Sequence, residues 1–265
     1  MWLTKSYEEK IQQEYKIKNK ITEVTGEKHT LELFDSEFFG NIAFIDGYVM
    51  LQSTLSIQSE LLAHIAACSH KNPKRALIVG GFNIEIAHEL TKHEGLSVDF
   101  LQQDLDVLET LISFFPHYQS IFKNNRFSHI SQDKEMFIKK SVEDSSLYDI
   151  VISLNSDVAS YKEVLSDDGI LISHMPHLML EFDKAEEFLR GFGDFRILMP
   201  FIAPLSLSLK DCYMFASKKY HPTADIMLQR ADMLDDLEYY CANLHLSSFV
   251  IPKSIKNKLY GIVKN

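Results

Sequence analysis

The sequence has few cysteines and no long apolar run. Its three cysteines, Cys68, Cys212 and Cys241, are odd in number and far apart, which excludes a disulfide scaffold. We expect reduced, mostly buried thiols in a cytosolic protein. The N-terminus lacks the apolar segment of a signal peptide, and no apolar run approaches the roughly 18 residues of a membrane span. These absences predict a cytoplasmic protein without membrane contact.

Positive charge is also in short supply. The 265 residues include 27 Lys and Arg against 37 Asp and Glu, a formal charge of −10. Proteins that follow nucleic-acid phosphates carry clustered Lys and Arg, so we predict no nucleic-acid partner. The 46% hydrophobic fraction, with 18 Phe and 11 Tyr, excludes a disordered chain. The length suits one large domain or a domain with a small appendage.

The first fifty residues alternate apolar and polar side chains, as half-buried strands do. The pair Asp46-Gly47 separates two apolar runs, which is a strong hairpin signal. We therefore predict a small N-terminal antiparallel β-sheet domain over residues 1–53. The predicted strands are 14–25, 29–34, 41–45 and 48–51.

From residue 54 onward, strands and helices alternate. This order predicts an α/β fold: a Rossmann-like, doubly wound, mostly parallel sheet over residues 54–265, with a helical C-terminal segment. The predicted helices are 57–67, 84–92, 105–115, 184–190 and 223–234, and the predicted strands are 75–79, 96–101, 127–130, 148–154, 169–173, 195–199 and 212–217.

Ligands of doubly wound sheets bind beyond the carboxyl ends of the strands. Gly80 and Gly81 follow the first strand of this sheet, where backbone N–H groups can approach a ligand. A tight turn alone explains two glycines equally well. Gln102, after the next strand, can hydrogen-bond a ribose hydroxyl or be an ordinary polar loop residue.

Motifs along the whole chain, taken in order, resemble the polyamine aminopropyltransferases of the spermidine synthase family. The chain is identified as a divergent member of that family. The matching pieces are Phe39-Gly40, Ile45-Asp46-Gly47, Glu60-Leu61-Leu62-Ala63-His64, Leu77-Ile78-Val79-Gly80-Gly81, Tyr148-Asp149-Ile150-Val151-Ile152, Leu165-Ser166-Asp167-Asp168-Gly169-Ile170, and Tyr239-Tyr240 followed by His245, Phe249 and Pro252.

The resemblance implies transfer of an aminopropyl group from decarboxylated S-adenosylmethionine to putrescine, giving spermidine and methylthioadenosine. It implies no cofactor beyond this co-substrate, no metal, and a homodimer or homotetramer. Putrescine is protonated near pH 7, as a Lys side chain is, so a carboxylate helps by holding the diamine and accepting a proton. The sulfonium leaves as a neutral thioether, and alignment of the reactants supplies much of the remaining catalysis.

The resemblance also implies site residues, several of which depart from the family pattern. Asn83 stands where the family has an Asp, Gln102 where it has a ribose-binding Glu, and Leu154 where it has the catalytic Asp. Gln58-Ser59 replaces a Tyr-His pair. Asp157, retained from the catalytic motif, is the predicted catalytic residue. The predicted donor-binding residues are His29, Gly80, Gly81, Asn83, Gln102 and Asp133, and the predicted diamine-binding residues are Gln58, Ser59, Glu60 and Asp157.

Other titratable residues can replace a missing base, because a leucine cannot accept a proton. A lost base costs roughly 10²–10⁴ in rate, or about 3–5.5 kcal/mol of barrier. We expect Asp104 or Asp106 to cap a helix and Asp167 and Asp168 to occupy a turn. The remaining candidates for the base are His29, Glu60, His174 and His177.

Two functional hypotheses follow. The first is an active aminopropyltransferase with a rearranged site. The second is a catalytically weak or inactive relative that binds a nucleoside, a polyamine or a partner protein, which the loss of the catalytic Asp favours. A methyltransferase-like activity is a third possibility, and the N-terminal sheet and C-terminal motif disfavour it.

Overall fold

The computed structural model describes residues 1–7, 10–115, 117–155, 157–208 and 211–265. These residues form two compact units. One comprises Met1–Leu55 and Gln103–Ser120, and the other comprises Ser56–Gln102 and Ile121–Asn265. The predicted domains, 1–53 and 54–265, stay a prediction. Within the described ranges no helix is long and apolar enough to span a membrane, and the cytoplasmic location stays a prediction.

The described residues form nine α-helices, most of them short. In chain order they are α1 (Leu55–Ser69), α2 (Glu85–Thr91), α3 (Leu105–Phe114), α4 (His117–Ile121), α5 (Lys134–Glu143), α6 (Phe182–Arg190), α7 (Leu228–Asp232), α8 (Ala242–Ser248) and α9 (Lys253–Lys258).

The first unit holds two antiparallel sheets rather than one. Strands β1 (Trp2–Tyr7) and β2 (Ile11–Lys16) form the smaller sheet. The predicted strand 14–25 is divided because the Ile17 N–H donates to the Met1 carbonyl and the Lys18 N–H donates to the Asp35 carbonyl in the other sheet. The larger sheet contains, in spatial order, β3 (Asn19–Thr25), β4 (Thr30–Ser36), β5 (Gly40–Ile45) and β6 (Tyr48–Leu51).

The predicted hairpin at Asp46-Gly47 is confirmed. Ile45 pairs with Tyr48, so two residues make the turn. Asp46 has φ +47° and Gly47 has φ +77°. Positive φ at both central residues is the geometry that suits a two-residue hairpin to the twist of its strands.

The second unit contains a seven-stranded sheet in the order β12-β13-β11-β10-β7-β8-β9. Strands β7 to β11 are parallel, and β13 is antiparallel to β11 and β12. The predicted Rossmann-like, mostly parallel architecture is therefore confirmed. The strands are β7 (Arg75–Val79), β8 (Ser97–Leu101), β9 (Phe127–Ile130), β10 (Tyr148–Ser153), β11 (Leu165–His174), β12 (Ile197–Ile202) and β13 (Cys212–Ser217).

Apolar side chains cover both faces of the central strands. β10 is buried along almost its whole length, which explains the apolar run 150–152 at its centre. Residues Leu77, Val151 and Leu171 lie together in one apolar cluster. Burial on both faces is typical of strands in the middle of a sheet. Because β7, β10 and β11 are parallel, their carboxyl ends share one edge of the sheet.

Two further segments differ from the prediction. Helix 223–234 is reduced to α7, because the His221 ring accepts N–H bonds from Thr223 and Ala224 and holds a turn there. Asp167 and Asp168 lie within the bounds of β11, at an irregularity where the pairing with β10 passes from Leu165 to Ile170.

Candidate active site

The glycine turn after β7 lies against the chain that follows β10. Gly80 has φ +80°, and a Cβ there would be 2.5 Å from the Asn155 Nδ2. A Cβ on Gly81 would be 2.7 Å from the Leu154 Cβ. Both positions require glycine for this close approach, which supports the tight-turn interpretation. The donor-binding role of Gly80 and Gly81 stays a prediction.

Asn83, beyond the turn, joins two predicted site residues on α1. Its Nδ2 donates to the Gln58 Oε1 at 2.9 Å and to the Ser59 Oγ at 3.1 Å. All three side chains are buried, Asn83 with only 1% exposure. The structure therefore brings together one predicted donor-binding residue and two predicted diamine-binding residues.

The Gln58 amide extends this network to β11 and β13. Its Nε2 donates to the Tyr213 hydroxyl at 3.0 Å and lies 3.4 Å from the His174 Nε2. The Tyr213 hydroxyl donates to the Asp211 Oδ1 at 2.8 Å. Burial raises the pKa of Asp211 in spite of its hydrogen bonds from Ser206 and Tyr213.

Neither Tyr213 nor Asp211 is among the predicted site residues. Because β13 runs antiparallel to β11, its first residues lie at the edge where β11 ends, and Tyr213 pairs with His174. A sequence pattern does not show that direction. His174 was named only among the alternative titratable groups.

Glu60, predicted to bind the diamine, accepts three backbone N–H bonds. These come from Glu238 at 2.8 Å, Tyr239 at 2.9 Å and Tyr240 at 2.7 Å. The side chain is buried, so these charge-assisted bonds stabilise a carboxylate inside the unit. Glu60 thus anchors the segment 238–240, and its contact with a diamine stays a prediction.

Asp157, the predicted catalytic residue, faces solvent. Its side chain is 81% exposed, and the Lys134 Nζ lies 2.7 Å from its carboxylate. This lysine competes with any substrate ammonium for the same charge. Leu154 lies against the glycine turn and offers no group that exchanges a proton. The catalytic role of Asp157 stays a prediction.

Gln102 and Asp133 both have local partners. Gln102 donates from Nε2 to the Gly81 carbonyl at 3.0 Å, and the His129 Nε2 lies 2.8 Å from the Gln102 carbonyl oxygen. Asp133 caps α5, where its Oδ1 accepts the N–H groups of Glu135 at 2.9 Å and Met136 at 3.2 Å. Their predicted contacts with the donor stay predictions.

In the first unit, Asp104 holds the turn between β3 and β4. Its carboxylate accepts the N–H groups of Glu27, Lys28 and His29 at 2.9–3.2 Å. It occupies the position before α3 but makes no capping bond, and Asp106 lies inside the first turn, so the predicted capping role is wrong. The carboxylate is oriented toward the turn 27–29 instead.

His29, predicted to contact the donor, pairs with Asp46. Its Nδ1 lies 2.5 Å from the Asp46 Oδ2. Partial burial acts to raise the pKa of Asp46, but hydrogen bonds from the Thr30 N–H and His29 outweigh this and lower it. The donor contact of His29 stays a prediction.

One group of potential metal ligands lies at the amino ends of β10 and β11. Ligand atoms of His70, Asp149 and Asp168 lie within 4.8 Å of one another. The His70 Nδ1 accepts the Asn72 N–H, so a neutral ring carries its proton on Nε2 and does not present a lone pair there. Asp168 already pairs with the Lys219 Nζ at 2.9 Å. The His70 Nε2 lies 3.9 Å from the Asp168 Oδ1 and is buried without a hydrogen-bond partner among the described residues. The expected absence of a metal stays a prediction.

The C-terminal motif that carried the resemblance is a packing unit. The Tyr240 hydroxyl donates to the His245 Nδ1 at 2.8 Å, and the His245 Nε2 donates to the Pro222 carbonyl at 2.9 Å. Burial lowers the pKa of His245 to about 4 and keeps the ring neutral. The Phe249 ring packs against the rings of Phe201 and Phe215.

The chain matches two family models. Residues 55–227 match the spermine/spermidine synthase domain, and residues 1–53 match the spermidine synthase tetramerisation domain. The chain belongs to the spermine/spermidine synthase family, a family of enzymes. The resemblance drawn from the motifs is confirmed.

Named relatives are similar to this chain over most or all of its length. The polyamine aminopropyltransferases of Helicobacter acinonychis (strain Sheeba) and Helicobacter pylori (strain G27) are each 35% identical over 270 residues, covering 100% of both chains. That of Streptococcus pneumoniae serotype 4 is 28% identical over 255 residues, covering 86% of each chain.

Solved structures show the same fold. The spermidine synthase of Thermotoga maritima superposes with a TM-score of 0.87 at 20% identity, covering 98% of this chain and 95% of the other. A spermidine synthase in complex with the transition state analogue AdoDATO gives the same score and identity, covering 98% and 94%.

Proposed function

We propose that the chain is a polyamine aminopropyltransferase. It transfers the aminopropyl group of decarboxylated S-adenosylmethionine to putrescine and releases spermidine and methylthioadenosine. The observation that carries the proposal is the 35% identity to named polyamine aminopropyltransferases over the full length of both chains. The co-substrate is the only small molecule that the reaction needs besides the diamine.

The proposed division of the site follows the carboxyl ends of the strands. The turn at Gly80 and Gly81, with Asn83, Gln102 and Asp133, binds the donor. Neutral amides replace charged groups at Asn83 and Gln102, so these contacts rely on hydrogen bonds more than on charge attraction. His29 is also proposed to contact the donor. The variant His29→Gln tests this contact.

The diamine side of the site is proposed at the start of α1. Gln58 and Ser59 supply an amide and a hydroxyl, and Glu60 and Asp157 supply carboxylates. Glu60 is committed to the backbone of 238–240 and Asp157 to Lys134. Because both carboxylates already have partners, we expect them to attract the doubly charged diamine only weakly.

The protein is proposed to work as a homo-oligomer. The match of residues 1–53 to a tetramerisation domain supports this. Light scattering on the purified chain distinguishes a dimer from a tetramer, since each protomer contributes 30.5 kDa. A monomer at assay concentration would contradict the proposal.

The test of the activity is direct. Purified protein is incubated with decarboxylated S-adenosylmethionine and a panel of diamines, and products are identified by mass spectrometry. Equal yields of triamine and methylthioadenosine are expected. Neither product above a no-enzyme background would reject the proposed activity. S-adenosylmethionine with the same amines tests the methyltransferase alternative.

A second candidate function is binding without turnover. The observation that favours it is the apolar Leu154 beside the turn, with Asp157 held by Lys134. Ligand-induced stabilisation, measured together with product formation, separates the two candidates. A ligand at a hundredfold excess over Kd adds about 2.7 kcal/mol to the free energy of unfolding. Stabilisation by donor or diamine without product would favour this candidate.

A further inference from the structure

Lys134 pairs with Asp157, the carboxylate that the proposed function assigns to the diamine, and the inference drawn from this pair rests on that function. Helix α5 begins at Lys134, directly after the loop that follows β9, and Asp157 follows β10. Strands β9 and β10 belong to the parallel part of the sheet, so their carboxyl ends share one edge. There the Lys134 Nζ lies 2.7 Å from the Asp157 Oδ2.

The backbone at the start of α5 is fixed, whereas the ion pair is exposed. Asp133 caps the helix by accepting two N–H groups of its first turn, and α5 packs on the segment 159–164. The Lys134 and Asp157 side chains are 31% and 81% exposed. An exposed ion pair contributes little to stability, because water screens it and two side chains lose freedom. A second ammonium that reaches Asp157 can therefore displace Lys134 without disturbing the helix.

The Lys134 ammonium has a second partner, the ring of Tyr161. Its Nζ lies 5.3 Å from the ring centroid, within the range of a cation–π interaction. Tyr161 is buried in the apolar cluster, which holds the ring in place. Burial, together with the carboxylates of Asp157 and Asp133, raises the pKa of the Tyr161 hydroxyl to about 12, so the ring is uncharged at neutral pH. The ring can keep the ammonium when Asp157 releases it.

Lys134 also presents the same chemical group as the diamine. A lysine side chain ends in a primary ammonium on a four-carbon stem. Putrescine is a four-carbon chain with a primary amine at each end, and these amines are protonated near pH 7, as a lysine is. In the free protein the Asp157 carboxylate therefore holds an internal equivalent of one end of the proposed substrate.

We infer that Lys134 is an internal competitor of the diamine for the Asp157 carboxylate and sets the affinity of the site for diamines. The diamine binds when one of its ammonium groups takes the place of the Lys134 ammonium, which then rests on the Tyr161 ring. A purely structural ion pair has the opposite effect. If Lys134 served only to hold Asp157 in place, removing the lysine would weaken diamine binding, whereas competition predicts tighter binding.

The test compares Lys134→Gln and Lys134→Arg with wild type in the full-length protein. In Lys134→Gln we expect KM for putrescine to fall by roughly two- to fivefold, because an exposed ion pair no longer has to be broken. The value of kcat should change less, since a saturating diamine displaces the lysine in wild type as well. Lys134→Arg keeps the positive charge and should bind putrescine as weakly as wild type. Lys140→Gln removes an exposed charge from the same helix and is the matched control.

Calorimetric titration with putrescine shows whether the competition takes place at Asp157. Adding Lys134→Gln to Asp157→Asn should leave Kd unchanged, because the contested charge is already gone, and a fall as large as in the wild-type background would overturn the inference.

The inference and the proposed function fail in different ways. A KM for putrescine that is unchanged or higher in Lys134→Gln overturns the inference and leaves the proposed function intact. Absence of triamine with the wild-type protein rejects the proposed function. The putrescine Kd then decides the inference by itself, because an equal Kd in wild type and Lys134→Gln, or binding to neither protein, overturns it.

Discussion

The Asn83 Nδ2 donates to the Gln58 Oε1 at 2.9 Å inside the second unit. An amide fits this position because the partner atom is an acceptor that needs a donor. A carboxylate would place two oxygens against each other. The identity of residue 83 is therefore coupled to the orientation of Gln58, and through it to Tyr213.

Asn83→Asp, although it matches the family pattern, is expected to destabilise the protein. The buried carboxylate would face the Gln58 oxygen and lose its donated bonds, a loss of about 1–3 kcal/mol. Urea denaturation at pH 7 measures this change. Asn243→Asp, on the exposed face of α8, is the control and should change stability by less than about 0.5 kcal/mol. Equal stability of wild type and Asn83→Asp would contradict the prediction.

Glu60→Gln is expected to loosen the C-terminal segment. An amide cannot accept all three N–H groups of 238–240, since one of its two ends is a donor. The loss should be about 2–4 kcal/mol in the free energy of unfolding. Glu238→Gln removes an exposed carboxylate from the same segment and serves as the control. If the two variants unfold at the same urea concentration, the three bonds contribute nothing.

Glu85 is expected to make the protein less stable as pH rises. Burial, helped by repulsion from Glu89, Glu238 and Glu60, raises its pKa to about 7, from 4.5. The folded form then binds more protons than the unfolded form between these values, so stability is lost as pH rises through them.

Glu85→Gln removes this penalty. Its gain over wild type should be absent at pH 4 and reach about 3 kcal/mol near pH 8. The free energy of unfolding is compared at both values. Glu135→Gln, on the exposed first turn of α5, is the control. A constant difference between wild type and Glu85→Gln at both pH values would show that Glu85 titrates normally.

His245 is expected to destabilise the protein in acid. Burial lowers its pKa to about 4, from 6.5, so the unfolded form binds more protons between these values. Stability is therefore full above about pH 6.5 and is lost as pH falls toward 4. His93, whose burial lowers its pKa to about 3, adds to the same trend.

The contribution of His245 is separable from that of His93. His245→Gln should lower stability at pH 7, because Tyr240 and Pro222 lose their shared partner, and should reduce the slope of stability against pH between 4 and 6.5. Unfolding midpoints across this range measure the slope, with His88→Gln as the control. An unchanged slope would assign the acid sensitivity to other groups.

Sequence patterns predicted the elements whose burial is uniform. β7 and β10 have apolar central residues because both of their faces are covered. The Asp46-Gly47 pair has a strong local preference for a hairpin turn. The roles of Glu60 and Asp104 were not predictable, because their partners are backbone N–H groups from distant segments and any residue supplies an N–H. Tyr213 was not predictable as a site residue, because its position depends on the direction of β13. The predicted helix over 223–234 was wrong in its first part, because the His221 side chain competes locally with helical hydrogen bonds.

The anchoring of segment 238–240 by Glu60 also bears on the order of assembly. Glu60 and Tyr240 are 180 positions apart, so this contact closes a very long loop, and long loops close slowly. Until then α1 carries a carboxylate beside residues such as Leu61 and Leu62 that end fully buried. During synthesis, Glu60 of α1 can therefore form this contact only after nearly the whole chain has been made.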